Sequence, residues 1–303
     1  MLSPFLLRSA AGCDKIDYMK ITEILNGKKA VLSFEVFPPK TSDKFESVQA
    51  AVDEIAALSP DFMSVTYGAG GGTSDYTVAV TKHIKEKFGV TALAHLSCIS
   101  SKREEVKVKL ARLKEEGIEN ILALRGDLPE NFAGNLDYQY ASELVAEIKA
   151  TGGFCVGGAC YPEGHPSSPT LFSDIENLKK KTDAGCDFLT TQMFFDNDVF
   201  YSFLSKVREA GIYVPVIAGI MPVTNAKQIK RIVALSGGSL PTRFKRILDR
   251  YGEKPEAMAQ AGIIYACEQI IDLYANGVKA VHVYSMNKPQ IAAEIKKNLS
   301  CII

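Results

Sequence analysis

Charge of either sign in excess is missing from this 303-residue chain: 35 basic residues balance 35 acidic ones. A broad basic face for nucleic acid or anionic lipid is therefore not expected, and small molecules become the natural partners. The seven cysteines are an odd set with no C-x-x-C pair. That fits reduced thiols in a cytoplasmic protein better than a disulfide frame or a zinc site. Nowhere do about 18 consecutive apolar residues occur, so no transmembrane helix is expected. The opening string MLSPFLLRSAAGC has only a short apolar run, Pro4 to Leu7, broken by Arg8. This is too little for a secretory signal, and residues 1–18 read as a loose extension ahead of a domain spanning 19–303. G-x-G-x-x-G, H-E-x-x-H and H-x-H are all absent, as is a lysine at the end of the fifth or sixth predicted strand. These absences speak against a Rossmann dinucleotide site, a metallohydrolase and a Schiff-base aldolase.

What is present is a rhythm. Short β-branched runs at 30–37, 61–66, 91–96, 119–124, 153–159, 186–191, 213–218 and 278–283 alternate with amphipathic segments. One such segment carries Phe45, Val48, Val52, Ile55 and Leu58 at helical spacing. Gly117, Gly185, Gly211 and Gly277 each sit between a helical pattern and the next strand, where a left-handed cap is wanted. Eight such units without a Pro/Gly-rich linker predict a single (β/α)8 TIM barrel, an α/β fold with extra helices before the last strand, at about 236–277. A doubly wound open sheet is the runner-up.

In such a barrel the chemistry lies at the C-terminal ends of the strands. There the sequence places Glu35, Thr66-Tyr67, His95, Arg125-Gly126-Asp127, Tyr161 with His165, Gln192 and Tyr284. Glu35 stands in the apolar string FEVF, where desolvation raises a carboxyl pKa and suits it to general acid work; pairing with a barrel Arg or Lys is the other reading. Asp127 is either catalytic or a turn residue between Gly126 and Pro129. The GAGGG run at 68–72 either cradles phosphate or merely allows a tight turn. Asp174, Asn177, Lys180 and Lys181 share one helical face, which is either solvated or shaped for the ribose and phosphates of a nucleotide.

Taken in order, the strings SFEVFPPKT, SVTYGAGGGTSD, AHLSCI, ILALRGDLP, YPEGHP, NLKKKTDAGCDFLTTQMFFD, GIMPVTNAKQI and VHVYSMNK resemble the methylenetetrahydrofolate reductase family from about residue 20 to 300. The resemblance is to the bacterial, catalytic-domain-only form. It implies a non-covalent FAD, reduced by NAD(P)H and reoxidised by 5,10-methylenetetrahydrofolate to give 5-methyltetrahydrofolate in a ping-pong cycle. By this likeness Glu35 donates the proton that opens the folate ring at N5, and Asp127 stabilises the iminium cation. Thr66, Tyr67, Ala69, His95, Arg125, Gly126, Asp127, Tyr140, Tyr161, His165, Asp174, Asn177, Lys180 and Lys181 would contact the cofactor. Thr66, Asp127, Gln192, Gln228, Tyr284 and Lys288 would contact the substrate. A cytoplasmic homo-oligomer is implied.

Lys288 and Lys180 stand where relatives carry Arg, and an amine lacks the planar two-pronged donor geometry of a guanidinium. Ile232 occupies a position that can carry Phe, while Met286 offers an adaptable apolar lid. Two other readings stay open: a pterin-binding barrel that transfers methyl groups without redox, and a folate-binding subunit supplied with electrons by a partner protein.

Overall fold

The computed structural model describes residues 19–39, 41–67, 74–127, 136–227, 229, 232–233 and 238–303. The 1–18 extension, Ala69 and the rest of the GAGGG run, and Gln228 lie outside them. Eight parallel strands close in sequence order: β1 (Val31–Val36), β2 (Phe62–Val65), β3 (Thr91–Ser97), β4 (Asn120–Leu124), β5 (Cys155–Cys160), β6 (Phe188–Thr191), β7 (Val216–Ile220) and β8 (Ala280–Tyr284). Between them run α2 (Phe45–Ala57), α3 (Ser74–Phe88), α4 (Arg103–Glu115), α5 (Ala141–Thr151), α6 (Leu171–Asp183), α7 (Asn197–Glu209), α8 (Thr242–Tyr251) and α9 (Pro255–Ala275); α10 (Pro289–Leu299) follows β8. This is the expected (β/α)8 barrel. No helix among the described residues is long and apolar enough to cross a membrane.

Strand period decides which side chains face the site. In β1, Leu32, Phe34 and Val36 point outward and pack with Val52 and Ile55 of α2, leaving Ser33 and Glu35 to the interior. A helix that the sequence reading did not anticipate, α1 (Ile21–Gly27), closes the N-terminal end. Its Ile21, Ile24 and Leu25 pack on Val31, Phe62, Leu93, Leu122, Cys155, Phe188, Ile217 and Ala280, one residue from every strand. Gly157 makes room in this floor, since a Cβ there would lie 2.4 Å from the Phe188 ring. Buried Asn120 ties the helix down: its Oδ1 accepts from the Ile21 amide at 2.9 Å.

Two expectations need correction. The seventh strand starts at Val216, not 213, because Pro215 has no N–H and joins the ladder only through its carbonyl, which accepts from Leu189 N at 2.8 Å. Of the two helices read as an insertion, only α8 is extra. The long α9 packs on β7, α7 and α10 and so serves as the crossover of the seventh unit. α8 is pinned outside it by Phe244, which stacks on Phe195 at 5.4 Å and meets Tyr265 at 4.7 Å.

Replacing Asn120 with Ala strands the Ile21 amide in the floor. Urea denaturation is expected to show a loss of roughly 1–3 kcal/mol; a loss below about 0.5 kcal/mol would mean that α1 contributes little to the closed barrel.

Candidate active site at the barrel mouth

Above the apolar floor the interior turns polar. Glu35 on β1 meets two imidazoles, with its Oε2 3.7 Å from His95 Nε2 on β3 and 4.0 Å from His282 Nε2 on β8. Its side chain is 19% exposed, and burial pushes its pKa up from 4.5 to about 8, so it holds a proton at neutral pH. Burial acts on the imidazoles in the opposite sense, holding both down to about 3 and hence neutral. The Arg or Lys partner allowed for Glu35 is absent among the described residues; its near neighbours there are these two neutral histidines. Among the described residues His95 Nε2 has no hydrogen-bond partner, an orphaned buried atom 3.7 Å from the acid.

Tyr284, two residues beyond His282, reaches across the barrel and donates its hydroxyl to the Thr191 carbonyl at 2.5 Å. This crossing requires a glycine at 219, where a Cβ would lie 2.3 Å from that carbonyl and 2.7 Å from the Tyr284 hydroxyl. Gln192 follows β6, its amide bonded to the Cys160 carbonyl at 2.7 Å. The β8 loop is fastened to β1 by Asn287, which accepts from Phe37 N at 2.9 Å and donates to Phe37 O at 2.8 Å. Beyond it Lys288 contacts Thr224 Oγ1 at 3.4 Å, and with Met221, Ile232 and Met286 it lines a narrow cleft between the β7 and β8 loops.

On the other side of the mouth, Thr66 and Tyr67 follow β2. The Thr66 amide donates to Val36 O, and the Tyr67 hydroxyl receives a 2.6 Å bond from Lys109 of α4. Arg125 and Gly126 follow β4. Gly126 has φ +82°, and a Cβ there would lie 2.0 Å from Ser97 Oγ, so only glycine fits this bend. Asp127 ends this segment and is exposed. Tyr161 and His165 meet edge to face at 4.6 Å. Burial first, then the charges of Asp127 and Asp174, push the Tyr161 phenol up to about 12.

The charged face of α6 divides. Asp174 braces the β5 loop, accepting from His165 N at 3.2 Å and Ser168 Oγ at 3.0 Å. Lys181 gives its amine to the Ala159 carbonyl at 2.6 Å, while Lys180 is exposed and bonds Asn177 at 3.2 Å. Tyr140 is exposed at the start of α5. A hollow of about 200 Å³ lies outside the barrel between α2 and α3, beside His83, and none of the expected site residues lines it. Sequence reasoning passed over Ser33, Ser64, Gly219, Lys109 and Asn287, and it placed His282 late in the last strand without giving it a role. Period-two spacing from Glu35 to Ser33, and from Tyr284 to His282, was the available signal that both face the interior.

Fold and site together define a closed (β/α)8 barrel with a protonated carboxylic acid buried beneath a mouth of aromatic, amide and charged side chains. Residues 20–300 match the family model described as methylenetetrahydrofolate reductase, and the chain belongs to that family. It is 37% identical to a 5,10-methylenetetrahydrofolate reductase of Pectobacterium carotovorum over 87% of this chain and 88% of that one. It is 36% identical to the Escherichia coli K12 protein of the same name over the same shares. A maize methylenetetrahydrofolate reductase (NADH) is 34% identical over 93% of this chain and 50% of its own length. A Clostridium thermocellum protein solved with two copies of 5-methyl-5,6,7,8-tetrahydrofolic acid shares the fold, with TM-score 0.61 and 17% identity over 93% of this chain and 99% of that one.

The raised Glu35 pKa has a stability consequence. In the unfolded chain Glu35 ionises near 4.5 and in the fold near 8, so between these values the native state binds more protons and stability falls as pH rises. Glu35→Gln removes this loss. It is expected to stabilise the protein at pH 8 by roughly 2–4 kcal/mol and to differ little at pH 4. Denaturant titrations at the two pH values check this, and an equal effect at both would contradict the buried-acid assignment.

Proposed function

We propose that residues 19–303 form one catalytic unit that reduces 5,10-methylenetetrahydrofolate to 5-methyltetrahydrofolate at the expense of NADH or NADPH, with FAD as cofactor. The observation that carries this reading is Glu35, a carboxylic acid kept protonated at neutral pH in the wall of the barrel mouth. The names of the relatives support it, as does the order in which the family's motifs fall on successive strand ends.

The residues present fit a flavin. His95 Nε2 is a buried polar atom without a partner among the described residues, and the bend at Gly126 keeps side-chain bulk away from the β4 rim. Thr66, Tyr67, His95, Arg125, Gly126, Tyr161 and His165 would hold its ring and linking chain. Tyr140, Asp174, Asn177, Lys180 and Lys181 would hold its ribose and phosphates, the lysines as point charges. When bound, the flavin supplies two-electron hydride exchange, which no protein side chain provides.

The chain's own residues do the rest. Glu35 gives its proton to N10 of the folate, not to N5, as the C–N10 bond of the imidazolidine ring breaks and the methylene stays on N5 as an iminium, a transfer that a neutral acid performs and a carboxylate cannot. The exposed Asp127 carboxylate at the β4 rim offsets the positive charge of the resulting folate iminium. Gln192, Gln228 and Tyr284 orient the pterin, and Lys288 faces the carboxylates of the glutamate tail as a single charge.

Anaerobic stopped-flow absorbance of the flavin separates the two half-reactions. Wild-type protein is expected to bleach with NADH or NADPH and to recover on addition of methylenetetrahydrofolate, and the donor that bleaches it identifies itself. In Glu35→Gln the bleaching rate is expected to stay within several-fold, while recovery slows by about 10²–10⁴-fold. Wild-type recovery should also decline as pH rises through about 8, where Glu35 loses its proton. Bleaching by neither nucleotide, with recovery of chemically reduced protein intact, points to electrons from a partner protein. Failure of both half-reactions overturns the proposal.

A further inference from the structure

His282 lies inside the barrel between the floor and the acid, in contact with two serines that the proposed reaction does not use. Ser33 Oγ is 2.7 Å from His282 Nδ1 and 3.1 Å from the Val281 carbonyl, and Ser64 Oγ is 2.9 Å from His282 Nε2. Both serines are fully buried and His282 is nearly so. Each hydroxyl has one proton to place, and buried protons seek acceptors. If Ser33 donates to the Val281 carbonyl, its oxygen accepts from Nδ1–H. Nε2 is then a lone pair that accepts from Ser64, and every proton in the chain is used. The opposite tautomer sends the Ser33 proton to Nδ1 and Nε2–H to the Ser64 oxygen. The Ser64 proton is then stranded, because its side chain has no other hydrogen-bond partner among the described residues. The imidazolium strands the same proton and adds a buried charge.

We infer that His282 is a positioning residue: Ser33 and Ser64 hold it as the Nδ1–H tautomer, so that it turns a lone pair and no donor towards Glu35 and leaves the carboxylate form without support from below. The surroundings are consistent on every side. The groups facing this pair are Ser33 on β1, Ser64 and the stacked Phe62 ring on β2, His95 on β3, and Tyr284 on β8, edge-on at 5.5 Å. Burial first, then Glu35 itself and Cys160 and Tyr161 at the end of β5, raise the Tyr284 phenol and keep it neutral. None of these is a cation that would hold Glu35 ionised. The consequence for catalysis rests on the reading of Glu35 as the acid; the tautomer does not.

The test is ¹⁵N NMR of the full chain labelled at histidine, with His282 identified by its loss in His282→Gln. The expected spectrum at pH 7 has a protonated Nδ1 and a bare Nε2, the reverse of the tautomer that free histidine prefers, and stays unchanged on acidification to pH 5. A protonated Nε2, or an imidazolium, overturns the inference from the wild-type protein alone. Ser33→Ala is expected to move the His282 shifts towards the Nε2–H pattern and to lower the pH at which Glu35 ionises by about one unit. The second readout is the carboxylic acid stretch in infrared difference spectra against Glu35→Gln. Unchanged shifts with an unchanged Glu35 midpoint in Ser33→Ala also overturn it. Neither readout needs turnover, so an inactive protein with His282 in the expected tautomer refutes the proposed function and leaves this inference standing.

Discussion

The burial of one carboxyl group in an otherwise apolar strand is the constraint around which this barrel is arranged. An ionised Glu35 would need a cation or several donors, and the interior supplies two neutral imidazoles instead. The cheapest state of the group is therefore the protonated one, which costs stability whenever solvent is alkaline enough to ionise the unfolded chain. The strand period makes the placement unavoidable: with Leu32, Phe34 and Val36 committed to the helices, residue 35 can only face inward.

Much of this was legible in the sequence. Eight alternations of β-branched runs with amphipathic segments specify a parallel closed sheet, and FEVF announces a desolvated acid because three apolar neighbours flank it. The order of the strand-end motifs identified the family before any coordinate was needed. What the sequence hid falls into recognisable kinds. The start of β7 was blurred by Tyr213-Val214, which look strand-like until Pro215 removes the donor that pairing would need. α1 is a single short helix whose reason to exist is the hole it fills, and that hole has no local signature. Gly219 and Lys109 matter through partners far away in sequence, Tyr284 and Tyr67, so nothing in their immediate neighbours marks them.

Charged residues sharing a helical face were the least transparent. The spacing of Asp174, Asn177, Lys180 and Lys181 is right for a common face, yet the protein spends two of the four on itself. Asp174 organises the loop that carries His165, and Lys181 satisfies a β5 carbonyl. Any ligand arriving there meets a surface that is already partly bonded, with Lys180 and Asn177 as its exposed outer members. Helical periodicity reports direction; it does not report prior engagement.

The α1 floor has an implication for the traffic of protons. Eight strand residues and three helix residues seal the N-terminal end with side chains that are almost wholly withdrawn from water. Among the described residues the barrel is thus closed at this end, and Glu35 stands above the seal. Exchange of its proton with water is left to the side of the mouth, so whatever covers the mouth also governs how fast that exchange can take place.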